Sequence, residues 1–428
     1  MKKSFWKRLF FCGALGMLSL AACGVGEEQT EEARRERAAE REWVTPVESV
    51  PLNEIPQESI AAYEDFAMEL LRNSVRENAN SMISPASVYF AMDMAALGAE
   101  GDTLLQMTET LSPGVSWEDT LLFSHSFMRD IYDSESVTFY VANSLWAEEN
   151  VIGDSLNEAY ETAIQDYFNA EIHVLPFDES AVSQMNRWVN DSTYGMINRI
   201  MDEISEEEVL YLLNAVAFDA KWEDEYTESS IAPKDFTNDD GTVVQAEALH
   251  STENIYFETA DAIGTMIYYE GMEYAFLAIL PAEGMGADEY VASLTGERYR
   301  EFWNSRTNAY RVHTQIPCFT YEYSVDMTQT MQDMGMELAF DEENADFSGM
   351  TDSTEFWLYL NGVRHMTFIE VDATGTRAAA VTSVSGGAEC VSEEVIEYRS
   401  VILNRPFVYA IVDVETGLPV FMGTVNHL

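Results

Sequence analysis

Positive charge is what this chain has least of: 23 Lys and Arg stand against 75 Asp and Glu, for a net charge of −52. A phosphate polyanion would meet a field of its own sign, so nucleic-acid binding is excluded, and no basic cluster is present for a heparin-type activator. The acidity serves solubility or biases encounters toward basic partners. Histidines are few and scattered, six in all. Neither Gly-x-Ser-x-Gly, His-Glu-x-x-His nor a phosphate loop occurs, so no enzymatic chemistry is indicated and no metal or cofactor is expected. Acidic pairs such as Glu148-Glu149 and Glu206-Glu207-Glu208 read as solvated faces rather than acid/base pairs. No apolar run reaches the ~20 residues that a membrane-spanning helix needs.

The N-terminus has its own composition. Lys2, Lys3, Lys7 and Arg8 form a basic head, Leu9 to Leu20 is apolar, and Leu20-Ala21-Ala22-Cys23 closes it. This is the pattern of an export signal. Its ending resembles the lipobox of bacterial lipoproteins, which implies cleavage after residue 22, acylation of Cys23 and a membrane-anchored protein on the extracellular face. The alternative is an ordinary secretory signal with a chance cysteine. Residues 24–43 are Glu- and Arg-rich with almost no apolar side chains, so 23–43 reads as a lipidated cysteine and a charged stalk. Losing residues 1–22 removes four positive charges and moves the net charge to −56. Of the four cysteines, Cys12 leaves with the signal and Cys23 goes to lipid, so Cys318 and Cys390 are too few for a disulfide framework.

Residues 44–428 read as one large α+β domain. From Glu58 to Val75 the apolar residues Ile60, Tyr63, Phe66, Ala67, Leu70 and Leu71 fall on one helical face. Ser84 is suited to cap, and Pro85 to begin, a buried helix through Gly98. Val137–Val141, Leu210–Phe218, Ala275–Leu280 and Tyr310–Ile316 suggest strands with period-two alternation. Arg405–His427 reads as two strands joined at Glu415-Thr416-Gly417-Leu418. Strands and helices mix without a regular βαβ order.

From Glu58 to Leu428 the chain resembles the serpins. The segments that carry this, in family order, begin with Asn80 to Val88, continuing to Leu97-Gly98-Ala99 and Thr103. Leu213-Asn214-Ala215 to Lys221-Trp222 follows, and then Phe340 with Ala345-Asp346-Phe347-Ser348-Gly349. His365 to Thr382 and Asn404-Arg405-Pro406-Phe407 with Phe421-Met422-Gly423 complete the set. The resemblance implies three β-sheets with eight or nine helices and an exposed reactive-centre loop at about 373–400. It also implies a monomeric suicide-substrate inhibitor of serine, or cysteine, proteases that forms a covalent complex and is not itself an enzyme. The alternative is a non-inhibitory serpin fold serving as a binding or surface-protection protein. Carried over residue by residue, Ser84, Ser87, Asn214 and His365 would form a hydrogen-bonded shutter beneath the opening strands, with Trp222 at the breach where insertion begins. The competing reading makes Ser84 and Ser87 helix caps and His365 an ordinary satisfied histidine. Two departures stand out: Asp219-Ala220 replaces the usual Lys-Gly, and Ala373-Thr374 replaces the acidic pair before the hinge glycine.

The hinge is Gly375, Thr376, Arg377, Ala378, Ala379, Ala380, Val381 and Thr382. A serpin loop, once cut, inserts as a new strand of the main sheet, so alternate side chains must enter the core. Counting from Thr376, the inward set is Thr376, Ala378, Ala380, Thr382, Val384 and Gly386, all small or β-branched, and Arg377 faces outward. By itself an alanine-rich run also fits an exposed helix. The family's spacing puts the cut bond at Glu389-Cys390, and a long following segment leaves any bond from Ala388 to Val395 open. Glu389 would suit a carboxylate-accepting protease, and Ala388 or Val391 an elastase- or subtilisin-like one. Cys390, with no histidine near it in sequence, reads as a bystander.

Overall fold

The computed structural model describes residues 48–134, 136–204, 208–351, 353, 356–376 and 397–428. The chain divides into two units, Met1–Trp43 and Val44–Leu428, and every described residue lies in the second. The export-signal, Cys23 and stalk readings therefore fall outside the described residues, as do Arg377 to Thr382, Glu389 and Cys390 of the loop.

In chain order the elements are α1 (Gln57–Ser74), β1 (Ser81–Ile83), α2 (Pro85–Ala96), α3 (Gly101–Leu111), α4 (Trp117–Asp133), β2 (Thr138–Glu148), α5 (Glu158–Phe168), β3 (Glu171–Leu175) and α6 (Glu179–Ser192). There follow β4 (Leu210–Lys221), β5 (Ile231–Thr237), β6 (Val243–Glu253), β7 (Tyr256–Glu258), β8 (Ala262–Tyr268) and β9 (Tyr274–Pro281). The remainder is α7 (Ala287–Ser293), α8 (Gly296–Asn304), β10 (Tyr310–Pro317), β11 (Phe319–Asp326), α9 (Thr328–Asp333), β12 (Gly362–Val371), β13 (Gly375–Thr376), β14 (Glu397–Ile402), β15 (Phe407–Asp413) and β16 (Pro419–Val425).

The strands form three sheets, as the resemblance predicts. The main sheet has the order β11-β12-β13-β4-β2-β3, a second six-stranded sheet runs β1-β16-β15-β9-β8-β7, and a four-stranded sheet runs β14-β10-β6-β5. Nine α-helices accompany them among the described residues.

Helix α1 buries the predicted face, Ile60, Tyr63, Phe66, Ala67, Leu70 and Leu71. Helix α2 is different in kind, because all twelve of its residues are buried. Apolar apart from Ser87 and Asp93, which find hydrogen-bond partners at Asn214 and Ser124, it belongs in the interior, where it packs between the main sheet and β16. Its start is the predicted one: Pro85 takes the first position and the Ser84 hydroxyl accepts from the Ser87 amide.

The predicted strands form, but the alternation does not mean one wet face. β9, β15 and β16 are buried along their whole length, and β4 nearly so. β4 lies between α2 and α6, β16 packs on α1, α2 and α7, and β9 and β15 pack on α7, and burial on both faces requires both residue parities to be apolar. The turn between β15 and β16 has Gly417 at φ +84°, and a Cβ there would meet the Trp303 ring at 2.5 Å. Helix α6 covers the main sheet through Ala181, Met185 and Val189, which are buried with Trp146, Leu213, Ala215 and Met366.

Candidate functional site: the parting of the main sheet

β12 and β4 run parallel and pair from Gly362 opposite Tyr211 to Phe368 opposite Ala217. Beyond that point they separate. Strand β13 enters the gap antiparallel to both, with Thr376 opposite Val371 on one side and Ala220 on the other, and Gly375 opposite Lys221. The main sheet thus already holds the first two hinge residues between its central strands.

Only glycine fits at the first of these positions. A Cβ on Gly375 would lie 2.0 Å from the Ala220 carbonyl oxygen and 2.8 Å from Lys221 Cα. Thr376 is fully buried, and its hydroxyl lies 2.7 Å from the Tyr269 phenol oxygen. That phenol is itself buried, and desolvation raises its pKa far above the ordinary range, so it stays protonated and able to donate.

The turn that feeds the hinge is organised by Asp372. Its Oδ1 accepts from the Thr374 amide at 2.8 Å, the Thr374 hydroxyl at 2.6 Å and the Gly375 amide at 3.2 Å. Ala373-Thr374 therefore does without the usual acidic pair, because the carboxylate one residue earlier closes the turn locally. Trp222 holds the same turn from the other side. Its Nε1 donates to the Asp372 carbonyl at 2.8 Å and its amide to the Thr374 carbonyl at 3.1 Å. The indole stacks on Tyr269 with centroids 4.8 Å apart and an interplanar angle of 8°. Trp222 and Tyr269 thus form one aromatic floor beneath the hinge.

Below the gap the three central strands carry a row of polar residues in register. His365 lies opposite Asn214, and Asn214 opposite Asn143. Asn214 Nδ2 lies 2.6 Å from Asn143 Oδ1, 2.5 Å from Ser87 Oγ and 2.8 Å from the Ser87 carbonyl oxygen. The Ser84 amide donates to His365 Nε2 at 3.0 Å, so that nitrogen is unprotonated. The proton must then be on Nδ1, which donates to Asn214 Oδ1 at 2.5 Å. Burial pushes the His365 pKa down to about 3, in keeping with this neutral tautomer. The Ser84 hydroxyl donates to the Val420 carbonyl at 2.8 Å while accepting from the Ser87 amide at 3.3 Å. The two sequence readings of Ser84, cap or network member, are both true at once.

The structure therefore gathers Ser84, Ser87, Asn214 and His365 into one cluster and sets Trp222 beside the hinge. Sequence reasoning missed Asn143, Tyr269 and Asp372. Asn143 carries a local signal only together with Ser144, the two polar residues in the run Val141 to Trp146; Tyr269 had no local signal, because its partner is more than a hundred positions away. Among the described residues no group of three or more His, Cys, Asp or Glu is arranged to hold a metal ion.

The described residues form a three-sheet α+β protein whose main sheet parts to hold Gly375 and Thr376 between its central strands. The family model described as Serpin (serine protease inhibitor) matches residues 61–428, and the chain belongs to the serpin family. Neuroserpin of Gallus gallus is 28% identical over 392 residues, covering 87% of this chain and 92% of that protein. The crystal structure of the thermophilic serpin tengpin in the native state superposes with a TM-score of 0.82 at 38% identity, covering 91% of this chain and 98% of the other. Tengpin in the latent state gives 0.75 at 36% identity, covering 87% and 98%. The likeness supports serpin-type protease inhibition in general, with a protease as partner.

Proposed function

We propose that this serpin is an inhibitory one, which presents residues 377–396 to an extracellular serine or cysteine protease and traps it as an acyl-enzyme. One observation carries the reading: Thr376 pairs on both sides within the main sheet, with Val371 and with Ala220, and its side chain is buried, while Gly375 pairs with Lys221. Strand geometry alternates faces, so this register directs Ala378, Ala380, Thr382, Val384 and Gly386 inward when the rest follows. None carries a charge or a bulky ring. Arg377 falls on the other face, away from the core.

The nucleophile belongs to the protease. Its hydroxyl or thiol attacks a loop carbonyl, the peptide C–N bond breaks, and the new amine leaves with a proton while the acyl group stays on the enzyme. The freed segment zips between β12 and β4, displacing their pairing from Phe368 toward Gly362 and carrying the protease with it. Deacylation needs water, base and ester in line, and a displacement of ~1 Å alone costs ~10²-fold. The inhibitor is consumed in the process.

In this reading His365, Asn214, Asn143, Ser84 and Ser87 are the shutter that holds the strands together until cleavage, and Trp222 with Tyr269 is the breach. The chain acts as a monomer, without a cofactor, and Cys23 tethers it by lipid to the outer face of a bacterial membrane. Mass spectrometry of the products after proteolysis tests the loop assignment. A single cut between Ala388 and Val395 is expected; a cut confined to Gly375–Thr382 would overturn it.

A further inference from the structure

The central strands are tied together a second time, at the foot of the main sheet. Asn361 stands immediately before Gly362, where the parallel pairing of β12 with β4 begins. Its Oδ1 accepts from two consecutive amides of the neighbouring chain, Val209 at 2.7 Å and Leu210 at 3.0 Å. Its own amide donates to the Leu210 carbonyl at 3.0 Å. Buried or half-buried N–H groups at a strand end need a partner, and here one side-chain oxygen serves both. The link continues across the sheet. The Val209 carbonyl accepts from the amide of Glu148, the last residue of β2, at 3.0 Å. The Glu148 carboxylate in turn accepts from the Asn150 amide at 3.0 Å, from Asn150 Nδ2 at 2.6 Å and from the Phe177 amide ahead of α6. Glu148, which the sequence places on a solvated face, is only 4% exposed. Next to Asn361, the Tyr211 ring closes on Gly362, where a Cβ would come within 2.8 Å of it. His365 lies four residues further along β12, ~13 Å away at ~3.3 Å per residue.

We propose that Asn361 is a positioning residue: it ties β12 to β4 at the foot of the main sheet and holds the two strands against parting over their full length. On the inhibitory reading, on which this rests, an entering strand must break every pair from Phe368–Ala217 to Gly362–Tyr211. The side-chain tie lies beyond the last of these. Parting that starts at the hinge therefore meets the His365–Asn214–Asn143 row first and Asn361 last. The tie is an acceptor, not a packing contact. Both of its side-chain bonds run from β4 amides to one oxygen, so separation at this end leaves two N–H groups unpaired at once. An aspartate carboxylate accepts as the asparagine oxygen does, whereas a leucine of similar size accepts nothing.

The test compares the full parent chain with Asn361→Leu, which removes the acceptor, and Asn361→Asp, which keeps it. Amide exchange at Val209 and Leu210 should quicken about tenfold in Asn361→Leu, equivalent to ~1.4 kcal/mol. It should return to the parental rate in Asn361→Asp, with exchange in β15 unchanged in all three. The loop is then cut with whichever of subtilisin, elastase and a Glu-specific endopeptidase cleaves it, and insertion is followed as the gain in urea resistance with time. Insertion should be about tenfold faster in Asn361→Leu than in the parent, and parental in Asn361→Asp. Equal exchange at Val209 and Leu210 in the parent and Asn361→Leu would overturn the tie, as would failure of Asn361→Asp to restore it. Quickened exchange with an unchanged insertion rate would overturn its hold on the parting. A parent that gains no urea resistance after cutting, with the exchange difference intact, faults the inhibitory reading and leaves the tie standing.

Discussion

Thr376 and Tyr269 share a hydrogen bond of 2.7 Å inside the protein, joining the end of β13 to the residue just past β8. The contact helps hold Gly375 and Thr376 within the main sheet. It also makes the hinge sensitive to single changes.

Thr376→Arg should convert an inhibitor into a substrate. The side chain is fully buried, and an arginine there would be an unpaired buried charge costing several kcal/mol, so the hinge would be expelled and re-entry blocked. The variant should be cleaved at the parental site with no covalent complex on a denaturing gel; undiminished complex would contradict insertion in this register.

Tyr269→Phe is a milder test of the same contact. It removes the phenol but keeps the stack on Trp222, leaving the Thr376 hydroxyl unpaired at a cost of ~1 kcal/mol. Amide exchange at Gly375 and Thr376 should quicken about fivefold while exchange in β15 stays unchanged.

The His365 imidazole predicts a pH dependence. With its pKa lowered to about 3 in the folded state and near 6.5 when unfolded, the unfolded chain binds the extra proton between those values. Its contribution to stability is thus present above pH ~6.5 and lost as pH falls toward 3, at up to ~1.4 kcal/mol per pH unit. Glu64 and Asp130, raised to about 7 and about 6 chiefly by desolvation, act with the opposite sign. The difference between the parent and His365→Gln isolates the histidine: urea midpoints measured from pH 4 to 7 should fall less steeply with acid in the variant, and parallel curves would contradict the assignment.

Cys23→Ser should release the protein from membranes into the soluble fraction. Persistence in the membrane fraction would count against the lipid tether.

The element types were legible in the sequence wherever a local rule operates. The α1 stripe, the Ser84-Pro85 cap and the Gly417 turn each depend on neighbours a few positions away, and each forms as expected. The burial of β4, β9, β15 and β16 on both faces was not legible, because it depends on which layers meet. The shutter residues came from resemblance rather than from pattern: His365 and Asn214 are 151 positions apart, and only strand register puts them side by side. Tyr269 escaped for the same reason, and Asn143 because Ser144 beside it gives the same local signal. Asp372 escaped for another, since the family's acidic pair directed attention to the two positions after it.

The central claim, that the loop inserts and traps a protease, is tested most directly on a denaturing gel. Incubation with subtilisin, elastase and a Glu-specific endopeptidase should yield, for at least one, an SDS-resistant band near the summed mass of protease and serpin. Cleavage at the loop by all three with no such band would contradict the account.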